Sequence, residues 1–253
     1  MNFVVDSGSG PALLFLHGMP SQASGLEPLW RPLLARHRVL APELPGYGKS
    51  PAVGAPYDVR RVNDLLEAEL AARGVRELAG VVGFSLGAYR AFLLALDGKL
   101  PVGRIASLAG VARFDPEERP LLRQFAAIAR SGPVAPALVA PNRERMLSPG
   151  FRERHPERAG EVDAWLGAAP SEVLADELEA AAASDDLLPR LASLRQPVLA
   201  RVGEHDAACP RAKSEAIARA ARQATLQVVP GAGHALEIED PEGTAAALER
   251  FFA

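Results

Sequence analysis

The stretch that decides the fold is LAGVVGFSLGAYRAFLLAL, residues 78–96. Its first part, 78–84, is an apolar run typical of a buried strand, and its last part, 86–96, predicts an apolar helix. Ser85 stands between them in a G-x-S-x-G pattern. Glycines two residues before and two residues after the serine leave room for strand and helix to approach closely. We therefore expect a tight turn that projects the Ser85 hydroxyl from the edge of a sheet.

Further strands and helices alternate on both sides of this unit. Apolar runs predict strands at 13–16, 37–41, 104–108, 196–202 and 225–229. Helical patterns lie at 27–36, 59–73, 210–222 and 241–252. This alternation predicts an α/β fold with a mostly parallel central sheet and helices on both faces. Such sheets bind their ligands at the carboxyl ends of the strands.

The stretch 111–194 interrupts the alternation. It is rich in Ala, Arg, Glu and Pro and predicts several helices without a strand. We interpret it as a helical cap, or lid, over one end of the sheet. The predicted domains are therefore an α/β core made of 1–110 and 195–253, and a cap made of 111–194.

Two further polar residues are expected at the same edge of the sheet as Ser85. A serine hydroxyl is a weak nucleophile, which needs a base, and the base needs an acid to orient it. His234 follows the strand 225–229 after a short loop, and Asp206 follows the strand 196–202. Both therefore lie at carboxyl ends of strands, in the chain order Ser85, Asp206, His234.

These motifs, taken in order, resemble those of the α/β-hydrolase-fold family, within its large group of capped, esterase-like serine hydrolases. The resemblance covers nearly the whole chain outside the cap. It depends on five motifs. One is the tight turn 83–87 around Ser85, which is called the nucleophile elbow in this family. The others are His17-Gly18-Met19-Pro20, Glu43-Leu44-Pro45-Gly46-Tyr47-Gly48-Lys49-Ser50, Gly203-Glu204-His205-Asp206, and Gly233-His234.

The resemblance implies a role for each matching residue. Ser85 corresponds to the nucleophile, His234 to the general base, and Asp206 to the carboxylate that orients the imidazole. The backbone N–H groups of Met19 and Leu86 correspond to the two donors of an oxyanion hole.

The chain departs from the family at three points, one of which is Ala88 after the G-x-S-x-G pattern, where a third glycine is common. The His-Gly motif lies so near the start of the sequence that the presence of the family's first strand is left open. Glu43 stands where the family usually has Asp, in a loop whose role is structural in most members.

The nucleophile restricts the reaction. Dehalogenases and epoxide hydrolases of this fold use Asp at the elbow, so Ser85 argues against both. Acyl transfer to water remains, which includes the hydrolysis of amides, and we favour a small or medium ester, thioester or lactone as the substrate. Three alternatives stay open: hydrolysis of a carbon–carbon bond by the same triad, a slow-turnover, receptor-like ligand-binding protein, and a cofactor-free lyase or oxidative enzyme.

The predicted cap should supply the substrate pocket, together with residues near the elbow. The pocket residues we predict are His17, Phe84, Phe114, Phe125, Met146 and Trp165. His17 is expected to shape the oxyanion loop rather than to titrate. The cap also carries five arginines, at 143, 145, 152, 154 and 158. These arginines indicate one of two things. They form a basic patch, for a carboxylated substrate or an acyl-carrier partner, or they belong to a solvated helix surface with local ion pairs. We favour the solvated surface.

Composition excludes several other classes of protein. The 253 residues carry a net charge of −3, which gives no reason to expect a nucleic-acid or membrane partner. A single cysteine, Cys209, rules out a disulfide framework and a multi-cysteine zinc site. We expect no cofactor and no metal. Without a signal peptide or an apolar run of membrane-spanning length, the sequence predicts a cytoplasmic protein acting on a small acyl substrate, and it leaves the oligomeric state open.

Overall fold

A seven-stranded sheet forms the centre of the computed structural model, which describes residues 1–132 and 136–253. The strands lie in the order β1-β3-β2-β4-β5-β6-β7. They are β1 (Phe3–Ser7), β2 (Ala12–Leu16), β3 (Arg38–Pro42), β4 (Leu78–Phe84), β5 (Val102–Leu108), β6 (Val198–Gly203) and β7 (Ala224–Val229). β1 pairs antiparallel with β3, and all other neighbouring pairs are parallel. The predicted fold class is confirmed.

The edge strand β1 is missing from the sequence prediction. Its sequence, FVVDS, combines two polar residues with a pattern of exposed and half-exposed positions. It therefore lacks the apolar run that identifies the inner strands, which are covered on both faces. The sheet thus has one antiparallel strand ahead of β2, at the point where the sequence left the presence of a first strand open.

Twelve α-helices are present in the described chain. They are α1 (Glu27–Trp30), α2 (Val59–Ala72), α3 (Leu86–Asp97), α4 (Glu118–Arg130), α5 (Pro136–Met146), α6 (Pro149–Arg154), α7 (Ala159–Ala168), α8 (Ser171–Ala183), α9 (Leu188–Leu191), α10 (Arg211–Ala220), α11 (Leu236–Glu239) and α12 (Pro241–Phe252). The single helix predicted over 27–36 is wrong: α1 ends at Trp30 and a 3₁₀ turn follows over Pro32–Ala35. Proline has no N–H to continue the helical hydrogen bonds, and its ring crowds the preceding turn.

The sheet has an apolar layer on each face. In β2, Leu14 and Leu16 belong to one buried cluster, whereas Leu13 and Phe15 belong to the other. Successive side chains of a strand point to opposite faces, so a strand buried on both sides must be apolar throughout. This explains why the inner strands read as continuous hydrophobic runs.

Between β5 and β6 the chain forms helices α4 to α9, and no strand occurs in the described part of residues 111–194. We call residues 111–194 the helical segment. Within it, α4 packs on α8 and α5 packs on α7. Across the ranges 1–132 and 136–253, no helix combines the length and apolar character needed to cross a membrane.

A buried ion pair joins the helical segment to the sheet domain. The guanidinium of Arg90, on α3, bonds the carboxylate of Glu177, on α8, and both side chains are 1% exposed. The other carboxylate oxygen accepts from the hydroxyl of Tyr47 at 2.5 Å, and Arg90 also donates to the hydroxyl of Tyr57 at 2.8 Å. Burial, with the nearby Glu177 charge, raises the pKa of Tyr47 well above its usual value, so its hydroxyl remains a donor.

We predict that Glu177→Ala lowers the free energy of unfolding by about 3–5 kcal/mol, because it leaves the buried Arg90 guanidinium without its carboxylate. The double variant Arg90→Leu/Glu177→Leu should recover much of this loss, since no unpaired charge then remains buried. Urea denaturation followed by circular dichroism measures both effects.

The ion pair Lys99–Asp64 provides the control, because its side chains are 82% and 65% exposed. Asp64→Ala should change the free energy of unfolding by less than about 1 kcal/mol. An equal loss for Glu177→Ala and Asp64→Ala would show that the buried pair does not join the two parts of the fold as described.

Candidate active site

Ser85 occupies a strained turn between β4 and α3. Its backbone has φ 55° and ψ −120°, in the left-handed region that residues with a side chain rarely adopt. The two flanking glycines permit this turn. A Cβ at Gly83 would lie 2.4 Å from the carbonyl oxygen of Gly87, and a Cβ at Gly87 would lie 2.2 Å from the carbonyl oxygen of Leu16. The predicted elbow geometry at Ser85 is therefore present.

Asp206 and His234 form a buried pair at the ends of neighbouring strands. Nδ1 of His234 lies 2.8 Å from Oδ2 of Asp206, and the two side chains are 1% and 0% exposed. The other oxygen, Oδ1, accepts from the backbone N–H groups of Ala208 at 3.0 Å and Cys209 at 2.7 Å. A carboxylate only accepts, so we assign the ring hydrogen to Nδ1, which leaves Nε2 as a free acceptor.

Ser85 and His234 line the same pocket without bonding to each other. The hydrogen-bond partner of Oγ in the described chain is Sγ of Cys209, at 3.9 Å. A side-chain movement is therefore needed to bring Oγ to Nε2 of His234. Hydrogen bonds of this kind are often long or poorly aligned without substrate.

His17 holds the loop over Ser85 in place, although it is absent from the pocket wall. Its Nδ1 lies 2.9 Å from the carbonyl oxygen of Gly18, and its Nε2 accepts from the N–H of Leu44 at 2.9 Å. Burial lowers its pKa to about 4, so the ring is neutral near neutral pH. These contacts place His17 in the loop that it was predicted to shape, and it is not among the residues that line the pocket, where it was also predicted.

Two backbone N–H groups lie beside the serine without an acceptor among the described residues. They belong to Met19 and Leu86. Leu86 is the first residue of α3, where an N–H has no partner within the helix and the helix dipole favours negative charge. Gly18 approaches Ser85 so closely that a Cβ on it would lie 2.8 Å from the Cβ of Ser85. These are the two N–H groups predicted to form an oxyanion hole, and that role stays a prediction.

The pocket extends from Ser85 and His234 into the helical segment and has a volume of about 150 Å³. A cavity of about this size holds a benzene-sized group. Three predicted residues of the helical segment line it: Phe114, Phe125 and Met146. The remaining apolar wall consists mainly of Val111, Leu122, Leu174 and Leu178. The pocket therefore suits a small hydrophobic group.

Two more predicted pocket residues lie elsewhere. Phe84 is buried in the core, and its ring packs against the imidazole of His234 with the two ring centroids 5.0 Å apart. Trp165 packs against the apolar cluster that contains Leu29, with ring atoms 3.6 Å from the Cβ position of Gly25. An aromatic residue in a strand or a helix predicts burial but not which neighbours bury it, so the places of Phe84, on β4, and of Trp165, on α7, follow from tertiary packing.

The structure also places residues in the pocket that the sequence analysis did not select. Cys209, expected to be a passive loop thiol, lines the pocket beside Ser85. Burial raises the pKa of this thiol, so it remains protonated. Arg145 lines the pocket as well, where the sequence analysis favoured a solvated helix surface. The sequence held one signal for this position, since Arg145 stands next to Met146, a predicted pocket residue.

The helical segment also holds the loop that carries His234. The carbonyl oxygen of Met146 accepts from the N–H of His234 at 3.0 Å. Two residues on, Ser148 donates its N–H and its hydroxyl to the carboxylate of Glu239, at 2.9 and 2.6 Å. The position of the imidazole thus depends on both parts of the fold.

Comparison with known proteins agrees with this architecture. A sequence profile of the alpha/beta hydrolase family matches residues 13–247, so the chain belongs to that family. It is 29% identical to the biotin biosynthesis bifunctional protein BioHC of Cellvibrio japonicus over 96% of this chain, although the chain spans only 47% of that relative. It is also 29% identical to the putative carbamate hydrolase RutD of Variovorax paradoxus, over 91% of this chain and 87% of the relative.

Among solved structures, a thermophilic esterase from Thermogutta terrifontis superposes with a TM-score of 0.91 at 27% identity, covering 99% of this chain and 92% of the esterase. The enol-lactonase of Burkholderia xenovorans has the same fold, with a TM-score of 0.90 at 23% identity over 99% of this chain and 93% of the lactonase. The names of three of these proteins, the putative carbamate hydrolase, the esterase and the enol-lactonase, describe hydrolases, in line with the family.

A buried acid near the pair generates a prediction about pH. Glu237 is 2% exposed, and neither of its carboxyl oxygens has a partner in the described chain. Burial raises its pKa from 4.5 to about 8, and the nearby charges of Glu239 and Asp206 act in the same direction. The folded protein therefore holds this proton more tightly than the unfolded chain does.

The contribution of Glu237 to stability should be complete below a pH of about 4.5 and lost as the pH rises through about 8. Glu237→Gln carries no titrating group, so we predict a smaller loss of stability than in the wild type between about pH 5 and about pH 9. The difference should reach a few kcal/mol, at about 1.4 kcal/mol per unit of pKa. Urea denaturation at both pH values measures the free energy of unfolding. An equal change of this free energy with pH in the wild type and in Glu237→Gln would contradict the prediction.

Proposed function

We propose that the protein is a serine hydrolase that forms an acyl-enzyme on Ser85 and acts on a small or medium ester, thioester or lactone. The observation that carries the proposal is the buried pair Asp206–His234 at 2.8 Å, placed on the same pocket as a serine in a strained turn. A strained, non-glycine backbone is kept where the surrounding structure requires it, and such positions cluster at active sites.

The proposed reaction begins when Oγ of Ser85 turns from Cys209 to Nε2 of His234. Oγ attacks the carbonyl carbon of the substrate while its proton passes to Nε2. Asp206 stabilises the imidazolium that forms, through Nδ1. The carbonyl electron pair moves onto oxygen, where the N–H groups of Met19 and Leu86 stabilise the negative charge.

Collapse of this intermediate breaks the bond to the leaving group, which takes the proton from Nε2 of His234. An acyl group then remains esterified to Oγ of Ser85. Water attacks this ester with Nε2 as the base, and the second collapse releases a carboxylic acid and restores the serine. These reaction steps require no group beyond this chain, the substrate and water.

Pocket shape and relatives support the substrate class. The pocket wall beside Ser85 is mostly aliphatic and aromatic. The pocket volume of about 150 Å³ suits a short acyl group. The names of two relatives, a putative carbamate hydrolase and a thermophilic esterase, describe hydrolysis at a carbonyl carbon. We further propose that the helical segment acts as a cap that sets substrate choice, since it supplies most of the apolar wall.

We predict that a fluorophosphonate labels Ser85 with one equivalent, as measured by intact mass and peptide mapping, because a bound phosphonyl oxygen fits the same N–H donors. Ser85→Ala should lose labelling and lower kcat on an activated ester by a factor of about 10⁴ or more. Cys209→Ser is the matched control beside the serine, since the chain then keeps Ser85 but not the adjacent thiol. Its labelling should persist.

Two outcomes would overturn this proposal. A folded wild-type protein that takes up no label and turns over no ester, but binds a ligand tightly, would be a binding protein. Turnover that survives Ser85→Ala would indicate a lyase or another reaction without an acyl-enzyme. Cleavage of a diketone with labelling at Ser85 would instead retain the nucleophile and replace the substrate class.

A second prediction concerns the proposed oxyanion hole. A Cβ at Gly18 would lie 2.8 Å from the Cβ of Ser85 and 2.9 Å from the carbonyl oxygen of Phe84, so Gly18→Ala must displace the loop that carries Met19. We expect kcat to fall by a factor of about 10² or more while the fold survives, since losing one oxyanion donor has about this effect.

Steady-state kinetics on an activated ester, with circular dichroism as a check of folding, measures this effect. Gly160→Ala, in α7, is the control because a Cβ there has no atom within 4 Å. Unchanged kcat in a folded Gly18→Ala variant would remove the Met19 N–H from the proposed site.

A further inference from the structure

Arg145 is the one residue with a permanent charge among the described residues that line the pocket. It lies on α5, one residue before Met146, and its side chain is exposed. The residues around it in the wall include Asn142 and Pro141, while the inner wall is apolar. The pocket thus combines an aliphatic interior with a positive charge that solvent can reach.

Two neighbouring arginines of the helical segment are paired with acids, whereas Arg145, Arg152 and Arg154 have no ion pair in the part of the chain that the structure describes. Arg143 forms an ion pair with Asp163, and Arg158 forms one with Glu161. Throughout residues 1–132 and 136–253, no carboxylate lies within 4.0 Å of the Arg145 guanidinium. The local ion pairs expected from the sequence therefore account for Arg143 and Arg158. Of the three arginines that remain, Arg145 is the one that lines the pocket.

Arg145 lines the same pocket as Ser85 and Cys209. It opposes the rise that burial causes in the pKa of Cys209, whose Sγ lies 3.9 Å from Oγ of Ser85. A charge bordering an apolar cavity interacts with an opposite charge more strongly than the same pair does in bulk water. A guanidinium also binds a carboxylate through two parallel hydrogen bonds, which fixes the orientation of the ligand.

We propose that Arg145 is a specificity-determining residue that binds a carboxylate of the substrate. The substrate class is then an ester, thioester or lactone in which a short hydrophobic chain separates a free carboxylate from the scissile carbonyl. The chain occupies the apolar interior, and the carboxylate reaches the guanidinium. This inference rests on the proposed hydrolase function and narrows it.

A matched pair of aryl esters tests the inference. The mono-4-nitrophenyl ester of adipic acid and 4-nitrophenyl hexanoate have acyl chains of equal length, and only the first ends in a carboxylate. The measured quantity is the ratio of their kcat/KM values, so that a general effect on the pocket cancels. We expect the wild type to favour the adipate ester, and Arg145→Gln to lower the ratio by a factor of about 10 or more, the size typical of a charge-assisted hydrogen bond.

Two further variants sharpen the test. Arg143→Gln removes a charge two residues away that is paired with Asp163, so the ratio should stay as in the wild type. Arg145→Lys keeps the charge but loses the bidentate geometry, and it should recover part of the ratio. Added salt should lower the ratio in the wild type and leave it unchanged in Arg145→Gln.

Failure of this inference is distinguishable from failure of the proposed function. If wild type hydrolyses the hexanoate ester but the ratio is the same in Arg145→Gln, Arg145 does not bind the carboxylate and the hydrolase proposal stands. If neither ester is hydrolysed, calorimetric binding of adipate and hexanoate to wild type and Arg145→Gln decides the role of Arg145 independently. Equal affinities of the two proteins for adipate would then overturn it.

Discussion

The backbone of Ser85, held at a φ of 55° between β4 and α3, is the constraint on which the arrangement of the site depends. This turn brings the end of a central strand directly to the first turn of a helix. Gly83, Gly87 and Gly18 allow three backbone segments to meet around it at distances that leave no space for a Cβ. The cost of such a backbone conformation is of the order of 1–3 kcal/mol, which the packing of the surrounding sheet must offset.

The other polar groups come together because parallel strands end at one edge. β6 and β7 are neighbours, and the loops after them carry Asp206 and His234. The helical segment completes the arrangement from the opposite side, since its Met146 carbonyl holds the His234 backbone and its Ser148 holds Glu239. Met146 therefore both lines the pocket and holds the backbone of the residue that carries the imidazole.

Residues whose positions follow from strand order could be predicted from the sequence. The elbow at Ser85 and the pairing of Asp206 with His234 need only an apolar run, a turn and the parallel topology. Side chains of the helical segment could not be placed in this way, because a helix face becomes pocket or core only when its neighbours are known. Trp165 and Phe114 are both aromatic residues of that segment, yet only Phe114 lines the pocket. The edge strand β1 was missed for a related reason, since pairing at an edge demands little hydrophobicity.

The single cysteine of the chain lies against the pocket, with its Sγ 3.9 Å from Oγ of Ser85 and its side chain buried. Any molecule that fills the pocket therefore covers the only thiol of the protein. A small mercurial, which bonds to the sulfur of a thiol as the thiol proton leaves, becomes a native reporter of occupancy, whose rate of attachment falls in proportion to the fraction of protein that is loaded. The site can thus be titrated with non-reacting compounds, without a chromogenic substrate and without engineering a label into the chain.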